Sequence, residues 1–112
     1  MTNTEIKKQI TRAEATADKE QGRDLFLIIS NDGNTYRQSI KPTIENLKKK
    51  VNKGIFDEVQ AVQSFYNIVL SALKNPMFNR YYTYNLQMVN VPTRYAVAVE
   101  LLEFFIDEIE EG

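Results

Sequence analysis

Hydrophobic residues recur every three or four positions along most of the chain, which is the spacing of an amphipathic helix. The clearest run follows Pro92, a residue that suits a first helical turn. Further apolar side chains widen its face, so we expect this helix either to be central in the core or to be covered on a second side by a partner. The face itself consists of Tyr95, Val99, Leu102, Phe105, Ile106 and Ile109.

Two helical patterns meet near Gly54, within residues 43–74. Gly54 stands where a left-handed residue ends a helix, and Asp57 stands where a side chain caps the next one. Gln60 lies three residues after Asp57, which is the spacing of a capping box. These signals predict a helical hairpin at the centre of the fold. Its apolar positions are Ile44, Leu47 and Val51, then Val59, Val62, Phe65, Tyr66, Val69 and Leu73.

The N-terminal segment predicts a further helix. Thr2 and Glu5 have capping-box spacing, and a thin apolar stripe follows them on a strongly charged helix. We interpret this segment as a peripheral helix of the same domain, with an interaction arm as the alternative. The stripe consists of Ile6, Ile10, Ala13 and Ala17.

Residues 25–40 are ambiguous in the sequence. A short apolar run precedes Asp32-Gly33, and Asp-Gly between apolar runs is a strong β-hairpin signal. A continuous helical stripe over residues 36–51 favours a helix instead. Pro42 lies within that stripe, where it either begins a new helix or bends a continuous one.

Together these patterns predict an all-α protein, a small bundle of about four helices with the helical hairpin at its centre. The alternative is an α+β fold with a β-hairpin at residues 25–40. A chain of 112 residues with 43% hydrophobic content forms one hydrophobic core. We therefore expect a single helical domain over residues 1–112.

The composition excludes the commonest kinds of catalysis. The chain contains no histidine and no cysteine, so it cannot assemble a Ser-His-Asp triad, a Cys-His pair or a Cys/His zinc site. Carboxylates such as Asp24 and Asp32 remain, but no spacing supports hydrolysis by them. We therefore predict no enzyme activity and no catalytic, cofactor-binding or metal-binding residue.

Charge and hydropathy restrict the partners and the location. A net charge of −1 produces no overall attraction to nucleic acid or to an anionic membrane. No apolar run is long enough to span a bilayer, and the polar N-terminus does not resemble a secretory signal. We expect a cytoplasmic protein with no membrane partner.

The most unusual composition is in residues 77–90, which we call the Tyr-rich segment. It combines tyrosines, a phenylalanine and two methionines with one arginine but almost no other charge. We interpret the segment as a lid that closes over the core. The alternatives are a patch that anchors a protein partner and, less favoured, a surface that stacks on nucleic-acid bases. The candidate protein-binding residues are Phe78, Asn79, Arg80, Tyr81, Tyr82 and Tyr84.

One cluster of basic residues falls in the last turns of the helix before Gly54. Cations are favoured there by the helix dipole, and helical geometry spreads the cluster around the circumference. We interpret it as a solvated helix end, with a phosphate-contacting surface as the alternative. In that alternative the nucleic-acid-binding residues are Lys48, Lys49, Lys50, Lys53 and Arg80.

A spaced set of residues between about 23 and 105 resembles a pattern in small proteins of bacteriophages and other mobile elements. The resemblance implies an all-helical fold, including residues 24–40, and a bacteriophage or mobile-element origin. It implies no activity, because none is established for those proteins. The set consists of Asn31-Asp32, Tyr36, Ile40, Pro42, Ile44, Asn46-Leu47, Lys50, Lys53-Gly54, Phe56-Asp57, Ala61 and Phe65, followed by Thr93-Arg94-Tyr95-Ala96-Val97-Ala98-Val99-Glu100-Leu101-Leu102.

We therefore expect a small helical protein-interaction module, phage-encoded and acting on a host or phage protein. One alternative is a nucleic-acid-binding accessory protein that uses the basic cluster over 48–53 and the tyrosines of residues 78–84. Another is a structural homo-oligomer, in which the last helix packs against its own copy.

Overall fold

Six helices account for most of the chain, and short turns join them. A computed structural model describes residues 1–111, and no strand occurs in that range. The prediction of an all-helical fold is confirmed, whereas the predicted count of about four helices is too low. We label the helices α1 (Asn3–Thr16), α2 (Lys19–Asn31), α3 (residues 33–52), α4 (Glu58–Lys74), α5 (Pro76–Tyr82) and α6 (Val91–Glu110), with a 3-10 turn at Leu86–Met88.

The additional helices lie where the sequence is least decisive. Residues 25–40 contribute most of α2 and the start of α3, and the Tyr-rich segment contains most of α5. The β-hairpin alternative is wrong, because Asp32-Gly33 begins a helix instead of forming a hairpin turn. The Asp32 carboxylate accepts hydrogen bonds from Thr35 N at 3.0 Å and Thr35 Oγ1 at 2.7 Å, which caps α3.

A widened turn lies within α3, just before Pro42. The N–H of Lys41 bonds to the carbonyl of Tyr36, one residue further back than in an α-helix. Pro42 has no N–H, and its ring crowds the carbonyl four residues before it, so a regular α-turn is disfavoured there. The helix therefore continues through Pro42 by widening instead of breaking. Its successive parts are α-helical Gly33–Thr35, π-helical Tyr36–Ile40 and α-helical Lys41–Asn52.

The helical hairpin predicted around Gly54 is confirmed. Gly54 has a φ of 71°, and Ile55 N donates to Lys50 O at 3.0 Å, which is a Schellman ending for α3. Asp57 then caps α4, since its side chain accepts from two backbone N–H groups of the first turn.

The Gln60 side chain departs from the predicted capping box. Its amide donates to Asn3 Oδ1, and Asn3 Nδ2 donates to Asp57 Oδ2 at 2.7 Å. The hydrogen bond from Asn3 is the main reason that the pKa of Asp57 lies below its ordinary value. These bonds attach the start of α1 to the hairpin. With Ile6 and Ala13 buried, α1 is a packed helix of the same body and not a free arm.

The helix α6 occupies the centre of the fold. Four other helices, α1 to α4, pack against it, and α3 and α4 contact α6 more extensively than they contact each other. The centre is therefore α6 and not the hairpin, and the chain itself covers most of the wide apolar face of α6. The buried residues of that face include Tyr95, Val97, Ala98, Leu101, Leu102, Phe105 and Ile109.

Stacked aromatic rings join α4 to α6. Tyr66 stacks on Tyr95 with ring centroids 3.9 Å apart, and Phe65 stacks on Phe105 at 6.3 Å. The phenol of Tyr95 donates to Gln63 Oε1 at 2.9 Å, so this buried side chain keeps a hydrogen-bond partner.

Candidate protein-binding site

The Tyr-rich segment has a buried side and an exposed side. Phe78 and Val89 are buried in the core, and Tyr82 and Tyr84 are half-buried against it. The segment is a lid over the core on this side, and its other side faces solvent. The exposed side chains include Met77, Arg80, Tyr81 and Met88.

Local sequence explains why α5 forms within this segment. Asn75 caps the helix by accepting from Met77 N at 2.9 Å, and Pro76 occupies the first turn, where an N–H is not needed. The helix ends at Thr83, whose φ of 61° is left-handed and whose N–H donates to Asn79 O at 2.9 Å. A β-branched residue rarely adopts this conformation, so α5 ends in a strained turn.

Asn79 fixes α5 to its surroundings. Its Nδ2 donates to Leu73 O at 2.8 Å, near the end of α4, and to Tyr84 O at 2.6 Å, beyond the end of α5. One side chain therefore holds both the helix and the loop that follows it. Asn79 is a candidate contact residue in the sequence, and in the structure its amide makes internal hydrogen bonds.

Tyr82 is anchored to the start of α3. Its phenol donates to Asp32 Oδ1 at 2.8 Å, while Oδ2 of the same carboxylate accepts from Thr35. Burial of Asp32 opposes its ionisation, but the hydrogen bonds and the charge of Arg37 outweigh burial and lower the pKa of Asp32. The pKa of Tyr82 is raised, first by its hydrogen bond to Asp32 and then by burial.

Tyr84 is anchored to α2. Its phenol donates to Asp24 Oδ2, and this hydrogen bond, followed by burial, raises the pKa of Tyr84 to about 12. Asp24 and Asp32 therefore each hold one tyrosine of the Tyr-rich segment. Each carboxylate precedes its tyrosine by 50 residues or more, and together they anchor one segment of the chain.

The exposed face of α5 contains Met77, Arg80 and Tyr81. The Tyr81 side chain is 80% exposed and that of Met77 is 70% exposed. The Tyr81 ring meets the Tyr82 ring edge-on, with centroids 4.8 Å apart. Arg80 forms no ion pair with any residue in the described range. Residues spaced by three and four positions share one face of a helix, so Met77, Arg80 and Tyr81 form one surface.

A cleft of about 470 Å³ adjoins this surface, between α5, the first half of α3 and the end of α4. Tyr81 and Ser71 line one side of it, and the π-helical turn lines the other. Arg37 on that turn donates to Asn34 Oδ1 at 2.7 Å. Widened helical turns recur at functional sites. The sequence did not predict this cleft, because its walls come from three separate helices.

The candidate nucleic-acid residues do not form one surface. Lys48, Lys49, Lys50 and Lys53 lie at the end of α3, next to the hairpin turn, and Lys48 is half-buried. Arg80 lies beyond the opposite end of α4. A helix of 17 residues is about 25 Å long, so the length of α4 separates Arg80 from the lysines.

Comparisons with protein-family models, with curated proteins and with solved structures find no match to this chain. Within residues 1–111, carboxylates do not cluster in groups of three or more that could hold a metal ion. No helix in the same range combines the length and the apolar character needed to cross a membrane. The exposed face of α5 and its cleft are therefore the candidate site on geometry alone.

Proposed function

We propose that this protein is a small helical interaction module that binds a protein partner through Met77, Arg80 and Tyr81. The observation that carries the proposal is the 80% exposure of the Tyr81 side chain on a helix that is anchored on both sides. A large aromatic ring that is left in water on an ordered helix gains apolar contact when a partner covers it.

The chemistry of this surface is that of an interface centre. Tyrosine and arginine dominate the binding energy of protein interfaces, and methionine is enriched there. The hydrogen bonds of Asn79 and Tyr82 order the backbone before binding, so little conformational entropy is lost when a partner binds. The adjoining cleft is large enough to receive a side chain of the partner.

The resemblance to small bacteriophage proteins suggests the kind of partner, which is a host or phage protein in the bacterial cytoplasm. The surface carries one cation, Arg80, and no acidic residue. We expect the partner to offer apolar groups and a carboxylate, because Arg binds carboxylates through paired hydrogen bonds.

The test is capture of a partner from a bacterial lysate by the tagged protein, with and without nuclease treatment. We expect a nuclease-resistant protein band with the wild type and a strong loss of that band with Tyr81→Ala. Since Tyr81 makes few internal contacts, thermal unfolding of Tyr81→Ala should match the wild type within about 0.5 kcal/mol.

The matched control is Ile55→Ala, since Ile55 is 61% exposed in the hairpin turn, away from α5. Retention of the band by Ile55→Ala together with its loss in Tyr81→Ala assigns binding to the α5 surface. A band that survives Tyr81→Ala and Arg80→Ala would refute the proposal. Recovery of nuclease-sensitive material alone would favour nucleic-acid binding.

A further inference from the structure

From a groove between α1 and α2, we infer a second docking site, which binds a basic amphipathic helix of a protein partner. The two helices meet at Ala17-Asp18, where Asp18 N donates to Oγ1 of the buried Thr93 at 2.9 Å. The groove lies over α6 and measures about 380 Å³. That volume is within the usual range of ligand pockets, about 300–1,000 Å³.

Small apolar residues form the floor of the groove. Ala13 and Gly22 contribute from α1 and α2, and Ala96 and Val99 contribute from α6. Small side chains leave room for a larger apolar side chain of a partner. The groove therefore suits a Leu or Phe side chain better than a polar ligand.

A second exposed apolar side chain lies further along α6, beyond the groove. Phe104 is 62% exposed, and its ring meets Phe26 edge-on at 5.6 Å. Ala96 and Phe104 are eight residues apart, which is about 12 Å along a helix. An amphipathic helix with apolar residues at positions i and i+7 has nearly the same spacing.

The charge around the groove selects a basic partner. Glu14, Glu100 and Glu103 border it, and Asp107 continues the acidic strip one turn beyond. Arg23 pairs with Glu100 at 2.5 Å, and no other ion pair occurs in residues 1–111. Asp18 also lines the groove, so Lys19 and Arg23 on the α2 side do not offset the four carboxylates of its lining, and Asp107 adds a fifth just beyond it.

Asp107 lies in the last turn of α6, where negative charge opposes the helix dipole. A lysine-rich partner helix would relieve that unfavourable interaction. The same charge excludes other occupants. A second copy would bring two acidic strips together, and an anionic membrane or a nucleic acid would be repelled. No residue of α5 lines this groove, so the two surfaces are separate.

The experiment measures fluorescence anisotropy with a labelled synthetic helical peptide that carries leucines on one face and lysines on the other. We expect saturable binding that weakens with added salt. Glu103→Lys should weaken binding roughly tenfold, because the reversal removes an attraction and adds a repulsion. Glu45→Lys, which makes the same charge change at an exposed position on α3, should leave the affinity unchanged.

The groove is tested separately from the charge. Ala96→Leu should fill the groove and abolish binding, and replacing the peptide leucines by serines should do the same. NMR amide shifts in the wild type should change at Ala13, Gly22 and Ala96. The inference would be overturned if Glu103→Lys and Glu45→Lys lowered the peptide affinity equally, or if the serine peptide bound as tightly as the leucine peptide. It would also be overturned if the amide shift changes were centred on α5, or if the wild type bound no peptide. If Ala96→Leu fails to fold, the comparison of Glu103→Lys with Glu45→Lys and the comparison of the leucine peptide with the serine peptide still test the inference.

Discussion

The phenol of Tyr82 donates a 2.8 Å hydrogen bond to Asp32, fifty residues earlier in the chain. Asp32 is also the N-cap of α3. A single carboxylate therefore starts one helix and positions another, and the orientation of the α5 surface depends on how α3 begins.

Removing the phenol should weaken this connection. We expect Tyr82→Phe to lower the free energy of unfolding by about 0.5–1.5 kcal/mol, the usual worth of one hydrogen bond. Urea denaturation at neutral pH measures the change. Tyr36→Phe is the control, because Tyr36 is also half-buried but its phenol makes no hydrogen bond within residues 1–111. An equal loss in both variants would show that the effect is one of packing.

The difference in the free energy of unfolding between Tyr82→Phe and the wild type should depend on pH. The pKa of Asp32 is lowered in the folded state, so the stabilisation is fully present above the unfolded pKa of about 3.9. It is lost as the pH falls through the lower folded pKa. Denaturation curves should therefore converge in acid, and NMR titration should give a higher Asp32 pKa in Tyr82→Phe. Parallel curves at all pH values would contradict this assignment.

Asn79→Ala should loosen α5 more than its modest exposure suggests. The substitution removes hydrogen bonds to Leu73 O and Tyr84 O, and unsatisfied part-buried carbonyls cost about 1–3 kcal/mol. Amide hydrogen exchange should accelerate in α5 and less in α6. Asn67→Ala, at an exposed position on α4, should change stability by less than about 0.5 kcal/mol.

Thr83→Asn should stabilise the protein. Thr83 has a φ of 61°, a conformation that costs most L-residues about 1–2 kcal/mol and that asparagine adopts more readily. We expect a gain of up to about 1 kcal/mol in thermal or urea unfolding. Thr11→Asn on the exposed face of α1 should give no gain, because Thr11 is helical. A loss in Thr83→Asn would mean that the Thr83 hydroxyl bond to Tyr82 O outweighs the strain.

Gly54→Ala and Gly22→Ala should change the free energy of unfolding in opposite directions. Gly54→Ala should destabilise by about 1 kcal/mol through backbone conformation alone, since φ is 71° and a Cβ there meets no atom within 4 Å. The hairpin angle should remain, so the α5 surface should bind as before.

Gly22→Ala should stabilise by about 0.5–1 kcal/mol, because Gly22 is helical and alanine is the better helix former. A Cβ at Gly22 would lie 3.6 Å from Thr93 Cγ2, which is an ordinary contact. A destabilised Gly22→Ala would show that α2 and α6 are packed too tightly to accept a methyl group.

Local chemistry explains which parts of the fold the sequence predicts. The Gly54 ending and the Asp57 cap are set by neighbouring residues, and both are found as predicted. Asp32-Gly33 is compatible with two local structures, a hairpin turn and a helix start. The hydrogen bonds from Thr35 that favour the helix start are also local, because Thr35 is only three residues after Asp32. The hydrophobic pattern alone does not distinguish the hairpin turn from the helix start.

The α5 surface depends on contacts between distant residues, which the periodicity of hydrophobic residues does not predict. Tyr82 with Asp32 and Tyr84 with Asp24 join residues 50 and 60 positions apart. The sequence identified the Tyr-rich segment by composition, but the division into anchoring and exposed residues follows from those two pairs. Only Tyr81 of the three tyrosines in the segment remains mainly in solvent.

The central position of α6 has a consequence for biosynthesis. Four earlier helices bury their apolar faces against Val91–Glu110, so the core cannot close while the ribosome has yet to release those residues. The core therefore forms only after Glu110 has left the ribosome, and a chain stalled before Val91 exposes the surfaces that chaperones and proteases recognise.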